Sequence, residues 1–175
     1  DFSARERGGS TILGYAVKKA CAWPAPPGRT EIVRALLEAG APVLDGAVRP
    51  GEPLVAVVAD SADPRTTELL DLLLAHGGDP EAKLPFDPDP LLFSRNLTRE
   101  KAEVLLRHGA KTTARSTDGG QAGWTPLMRA VEREEWALAL CLVRAGVPAA
   151  AAAPDGETAR SLAGRPVRGA APGDG

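Results

Sequence analysis

The chain has 175 residues, with 21 Lys and Arg against 23 Asp and Glu and a formal net charge of −2. That length suits one domain with a continuous core, and the charge balance leaves no basic footprint for nucleic acid or an anionic membrane. No apolar run approaches the roughly 20 residues of a membrane span, and no charged-then-apolar leader follows Asp1.

In chain order, the first amphipathic stretch is STILGYAV from Ser10. It runs into CAWPAPPG, Cys21 to Gly28, where a tryptophan sits among three prolines. Proline fixes φ and removes an N–H donor, so this passage is neither helix interior nor central strand. A helix restarts at Thr30-Glu31 and ends in RALLEAGA from Arg34. The same sequence of events then recurs. EPLVAVV precedes DLLLAHGG from Asp71, DPLLFS precedes EVLLRHGA from Glu103, and WTPLMRAV precedes LCLVRAGV from Leu140. Each second member is an apolar helical stripe closed by a glycine: Gly40, Gly77, Gly109 and Gly146. Glycine just past a helix takes the left-handed C′ conformation without a Cβ clash. Thr125-Pro126-Leu127 is the clearest start signal, Thr as N-cap and Pro at the first helical position. The chain is a series of helix pairs, closed by GETARSLAG from Gly156.

This pattern resembles the ankyrin-repeat family, whose signature is T-P-L-H-x-A, then a second helix ending in L-L-x-x-G-A. Its register agrees as well. Gly40 to Glu52, Gly77 to Asp89 and Gly146 to Thr158 are each the family step of 12, and Thr125 to Gly146 is the family step of 21. The resemblance implies an all-α ankyrin-repeat solenoid of about four helix pairs plus a C-terminal capping half-repeat. Repeats would lie near 9–41, 50–78, 87–110 and 123–147, with the cap at 156–164, an N-terminal flank at 1–8 and a flexible tail at 165–175. The chain should be almost wholly helical, and Leu36, Leu73, Leu105 and Leu142 should be equivalent buried positions of the second helices. Gly14, Val55, Leu92 and Met128 stand where the family has its histidine. The resemblance therefore implies that inter-repeat hydrogen bonds are missing and that apolar contact compensates.

Three insertions depart from the family steps. Thr11 to Gly40 is 29, which is eight residues long, and places CAWPAPPG in the connection between two helices. Four extra residues fall around DSADPR, Asp60 to Arg65, beside that loop, and four more lie within ARSTDGGQAG, lengthening the finger before Trp124. Loops on a rigid scaffold tolerate insertion and often carry function.

Catalytic and metal chemistry find little support. His76 and His108 each stand one residue before a capping glycine, where the helix dipole favours a cation. No third ligand type is nearby for zinc. Cys141 occupies an apolar helical position, and Cys21 is three repeats away, beyond the roughly 7 Å Cα separation of a disulfide. No glycine-rich phosphate loop or activated nucleophile is present. The expectation is no enzyme activity, no cofactor and no metal. Two unpaired thiols fit a reducing compartment, hence a cytoplasmic location, or a periplasmic one should a signal segment precede Asp1.

A binding surface remains. The resemblance places Lys18 and Lys19, Ala59 and Asp60, Asn96 and Leu97, and Glu132 and Arg133 on the concave side. Ser10, Gly51, Pro88 and Trp124 would sit on the fingers, with Arg49, Phe86 and Gln121 slightly earlier. Trp124 reads as an exposed aromatic and so as the leading partner contact, since Trp and Arg dominate interface hot spots. Trp136 occupies an apolar helix position and reads as packed. Tyr15 and Phe93 stand between core and contact. Trp23 is either a lid on the first helix pair or a second contact point. The expected function is a non-catalytic module binding a folded protein, such as an immunity or antitoxin protein that blocks a secreted toxic effector, and monomeric when free. The alternative is a structural or regulatory segment of a larger protein. With 16 Arg against 5 Lys and 31 Ala, the composition is that of a GC-rich bacterial source.

Overall fold

The structure, a computed structural model, describes residues 10–22, 28–44, 48–49, 51–85 and 87–165. Eight α-helices fall within them: α1 (Ile12–Cys21), α2 (Arg29–Glu38), α3 (Leu54–Ala59), α4 (Thr67–Ala75), α5 (Arg99–Arg107), α6 (Pro126–Glu132), α7 (Trp136–Arg144) and α8 (Ala159–Ala163). No β-strand occurs among the described residues, and no helix there is long and apolar enough to cross a membrane.

Local chemistry sets the helix ends. The hydroxyls of Thr11, Thr98, Thr125 and Thr158 accept N–H bonds from the first turns of α1, α5, α6 and α8, which satisfies donors a helix start leaves orphaned. Gly40, Gly77, Gly109 and Gly146 have φ between 85° and 93°. At each, the glycine N–H and the next N–H bond back to successive carbonyls, as in Ala41 N to Leu36 O at 2.9 Å and Gly40 N to Leu37 O at 2.9 Å. This is the Schellman closure. Glu134 stands in the same place after α6 with φ 60°, and Glu135 N bonds to Ala130 O at 2.9 Å.

The helices stack in two rows. Second helices form one, α2 on α4, α4 on α5 and α5 on α7. First helices form the other, where α1 packs on α3 and α6 on α8. The core runs between the rows, with Val17, Val33, Leu70, Leu73, Ala102, Leu105, Met128 and Leu142 essentially inaccessible. Leu36 departs from the expected set and is only half-buried. It belongs to the first second-row helix, which has a described second-row neighbour, α4, on one side.

The third pair also departs. Its first helix is reduced to a 3-10 turn, Leu91–Phe93. After it the chain turns away, because Ser94 Oγ donates to Asp60 Oδ1 at 2.6 Å and Asn96 Nδ2 donates to Asp60 O at 2.8 Å. Short polar side chains compete with helix continuation in this way. Long connections are irregular too, so the expectation of an almost wholly helical chain is not met.

Two buried cations occupy the ground the missing helix leaves. Lys101, fully buried on α5, donates through Nζ to Val58 O and Ala59 O, both at 3.2 Å, and to Ser61 O. It thereby caps the C-terminal carbonyls of α3. Arg129 of α6 lies 5.1 Å from the Phe93 ring centroid and donates through Nη1 to Phe93 O at 2.6 Å. Inter-repeat links are therefore partly polar, correcting the expectation of purely apolar compensation.

Candidate functional site

The residues predicted for the concave side fall at comparable places on successive elements. Lys18 and Lys19 fall in the last turn of α1, Asp60 caps α3, Asn96 follows the 3-10 turn, and Glu132 and Arg133 end α6. All lie at C-terminal ends of first-row elements, but their environments differ. Lys18 and Lys19 are exposed, with Lys19 Nζ 5.4 Å from the Tyr15 ring centroid. Asp60 and Asn96 are half-buried and bound to each other or to Ser94, so they join the 3-10 turn to α3. Arg49 is exposed and pairs with Glu52 at 3.6 Å. Phe86 and Trp23 fall outside the described residues.

Both tryptophan assignments reverse. Trp124 is 7% exposed and belongs to the apolar core, so the premise of an exposed finger aromatic fails. The lengthened finger folds back on itself: Ser116 N bonds to Trp124 O at 2.9 Å and Gly123 N to Ser116 O at 2.8 Å. That closure turns the indole inward. Ser10, expected on a finger, is likewise buried, its hydroxyl donating to Val48 O. Trp136, expected to pack, is 57% exposed. With Leu140 and Val143 it forms an apolar flank on α7, where α8 is the last helix among the described residues. Of the two undecided aromatics, Phe93 is buried in the core and Tyr15 is exposed.

A polar cleft of about 720 Å³ opens between the 3-10 turn, the finger and α6. Its frame was not anticipated. Asp89, whose side chain is 1% exposed, accepts from Ser116 Oγ, from Thr117 N at 2.6 Å, from Thr117 Oγ1 at 2.9 Å and from Arg129 Nη2 at 3.4 Å. Burial alone pushes such a carboxyl up, but these hydrogen bonds and the nearby guanidinium outweigh it and hold Asp89 below its ordinary value. Arg129 Nε also donates to Gln121 Oε1 at 2.9 Å. One carboxylate and one guanidinium thus fasten the inserted finger to the array. Arg95, Glu132 and Arg133 line the cleft, and their side chains form no ion pair or hydrogen bond among the described residues. The sequence signal for this frame was Asp89 at the position where the family pattern has threonine.

The start of α2 meets the second insertion. Arg29 donates to Ala22 O and to Asp63 Oδ2, both at 3.4 Å, and Asp63 binds Arg65 at 2.8 Å. The Arg65 hydrogen bonds hold the Asp63 carboxyl well below the usual range. Burial pushes the half-buried Cys21 thiol up to about 11, and Cys141 is buried, so neither is primed as a nucleophile. His108 Nε2 meets Asp71 Oδ1 at 2.7 Å, and His76 Nδ1 meets Leu72 O at 2.9 Å. Among the described residues, no three His, Cys, Asp or Glu side chains converge on a metal-sized site.

Comparison with known proteins agrees on the fold. The chain is similar to the crystal structure of the ankyrin repeat domain of Bcl-3, a unique member of the IkappaB protein family, with a TM-score of 0.70 and 23% sequence identity over 93% of this chain and 67% of that one. No family model and no curated protein matches the sequence. The fold is an all-α ankyrin-repeat solenoid.

Proposed function

We propose that this protein is a non-catalytic module that binds a folded protein partner through its first-row and finger surface. The observation that carries the reading is the cleft. Its frame is internally satisfied through Asp89 and Arg129, while the side chains of Arg95, Glu132 and Arg133 stand at its walls without an ion-pair partner among the described residues. Rigid scaffolds presenting unspent polar groups suit recognition, because little ordering entropy is lost on binding. The narrower form of the reading is an immunity or antitoxin protein that blocks a secreted toxic effector. The lengthened finger beside the cleft supports it, since an irregular projection suits an enzyme's irregular active-site mouth. The second reading is a structural or regulatory segment of a larger protein, and the apolar flank of α7 favours it.

A photo-crosslinking amino acid in the native host separates these readings. At Pro88 or Glu132, both exposed at the cleft, covalent capture of one protein is the expected outcome. Capture confined to a probe at Leu140 supports the segment reading instead. Silence at all three positions overturns the binding-module reading.

A further inference from the structure

We propose that the apolar flank of α7 is an interface between two copies of this chain, paired antiparallel about a two-fold axis near Leu140. The inference goes beyond the binding-module reading and stands whether or not the cleft takes a partner. It starts from a reversal of polarity along the second row. Six residues before the capping glycine, α2, α4 and α5 carry Arg34, Asp71 and Glu103. Each is ion-paired, to Glu68 at 2.9 Å, Arg107 at 3.6 Å and Arg99 at 2.8 Å respectively. In α7 that place is held by Leu140, 51% exposed. Ten residues before the glycine, Thr30, Thr67 and Arg99 give way to Trp136. A helix face that meets only water carries polar residues, yet α7 is apolar where its predecessors are polar. Trp136, Leu140 and Val143 follow the i, i+4, i+7 spacing of one helix face. Beside them a groove of about 680 Å³ reaches Ala149, Ala150 and Arg160.

The charges at the two ends of this stripe identify the occupant. Just before α7 stand Glu132, Glu134 and Glu135 against Arg133, so that end is acidic. At the other end Arg144 and Arg160 stand against Asp155, with Glu157 already paired to Arg165, so that end is basic. Of the residues lining the groove, Arg160 alone is charged. An antiparallel second copy sets the acidic end of each stripe against the basic end of the other, with Leu140 meeting Leu140. Trp136 of each copy then comes beside Arg144 of the other, where a guanidinium can lie over the indole. A parallel pairing would oppose like charges at both ends. An isologous contact of this kind is self-complementary and closes at two chains.

Sedimentation velocity on the purified full chain tests the proposal. The average mass should climb from one chain towards two, and no further, as concentration rises to about 1 mM. Leu140→Lys, which returns a charge to this place, should hold the mass at one chain with an unchanged melting midpoint. Arg144→Glu should weaken association about four- to twenty-five-fold, since each end pair occurs twice and an exposed ion pair is worth about two- to fivefold. Adding Glu134→Lys to Arg144→Glu should recover most of that loss. In a mixture of isotope-labelled and unlabelled chains, a photo-crosslinker at Leu140 should join α7 peptides of different label. One-chain mass throughout, growth beyond two chains, or wild-type association in Leu140→Lys or Arg144→Glu would each overturn the proposal. So would a crosslink to α2 of the second copy or to residues 166–175. Only the purified chain is present, so failure here is separate from failure to capture a partner at Pro88 or Glu132.

Discussion

At the scale of single residues, the two tryptophans show how far position in a pattern differs from position in space. Trp124 is 7% exposed and Trp136 is 57% exposed, the opposite of what their places in the repeat imply. Trp124→Ala should therefore destabilise by about 3–5 kcal/mol, as truncating a buried aromatic does, whereas Trp136→Ala should cost under about 1 kcal/mol. Urea denaturation of the two variants checks this, and equal costs would mean the finger does not close over the indole. Asp89 gives a pH-dependent counterpart. Its folded-state pKa lies below the unfolded value, so its contribution is present above the unfolded value near 4 and is lost as pH falls through the folded one. The stability gap between wild type and Asp89→Asn should stay constant from pH 7 down to about 5 and shrink below about 4. A gap that ignores pH would show that the carboxylate is not what Ser116, Thr117 and Arg129 hold.

At the scale of elements, the third pair functions without a first helix because Lys101 and Arg129 tie its neighbours together. Lys101 is placed on the apolar stripe of α5, four residues before Leu105, and it is fully buried. Burial lowers its pKa, and the nearby Cys21, Asp60 and Asp63 pull only partly the other way. Lys101→Met keeps the length and apolar stem but strands the carbonyls of Val58, Ala59 and Ser61, so it should cost about 1–3 kcal/mol. A neutral or stabilising result in thermal melts would mean that apolar contact alone holds α5 to α3. The helix-capping glycines and threonines were legible in the sequence because those conformations demand particular residues. The 3-10 turn was not, since DPLLFS carries the same apolar spacing as a helix start, and only the distant Asp60 diverts Ser94 and Asn96. Trp124 was misread for a related reason. Its surroundings are set by a finger insertion that the family spacing does not describe. Lys101 could have been found, as a lysine in register with Val104 and Leu105.

At the scale of the whole molecule, stability in a stacked array is a sum of repeat terms and nearest-neighbour interfaces, so equivalent positions need not have equivalent energetic roles. Leu36 and Leu105 show the difference, for both lie four residues before a capping glycine and both accept the closing N–H of a Schellman turn. Leu105 sits on α5, with α4 on one side and α7 on the other, and has no exposed surface. Leu36 sits on α2, which meets only α4 in the second row among the described residues, and it is half-buried. Truncation at Leu105 removes contacts to two interfaces and leaves a closed cavity, so Leu105→Ala should cost about 2–5 kcal/mol. At Leu36 water can reach the vacated space and one interface is affected, so Leu36→Ala should cost under about 1.5 kcal/mol, closer to a surface change. Urea titrations followed by circular dichroism measure both costs, and they also report whether the Leu36 variant loses helix in a separate, earlier step. Equal costs for the two variants would mean that α2 is covered on its outer side as fully as α5.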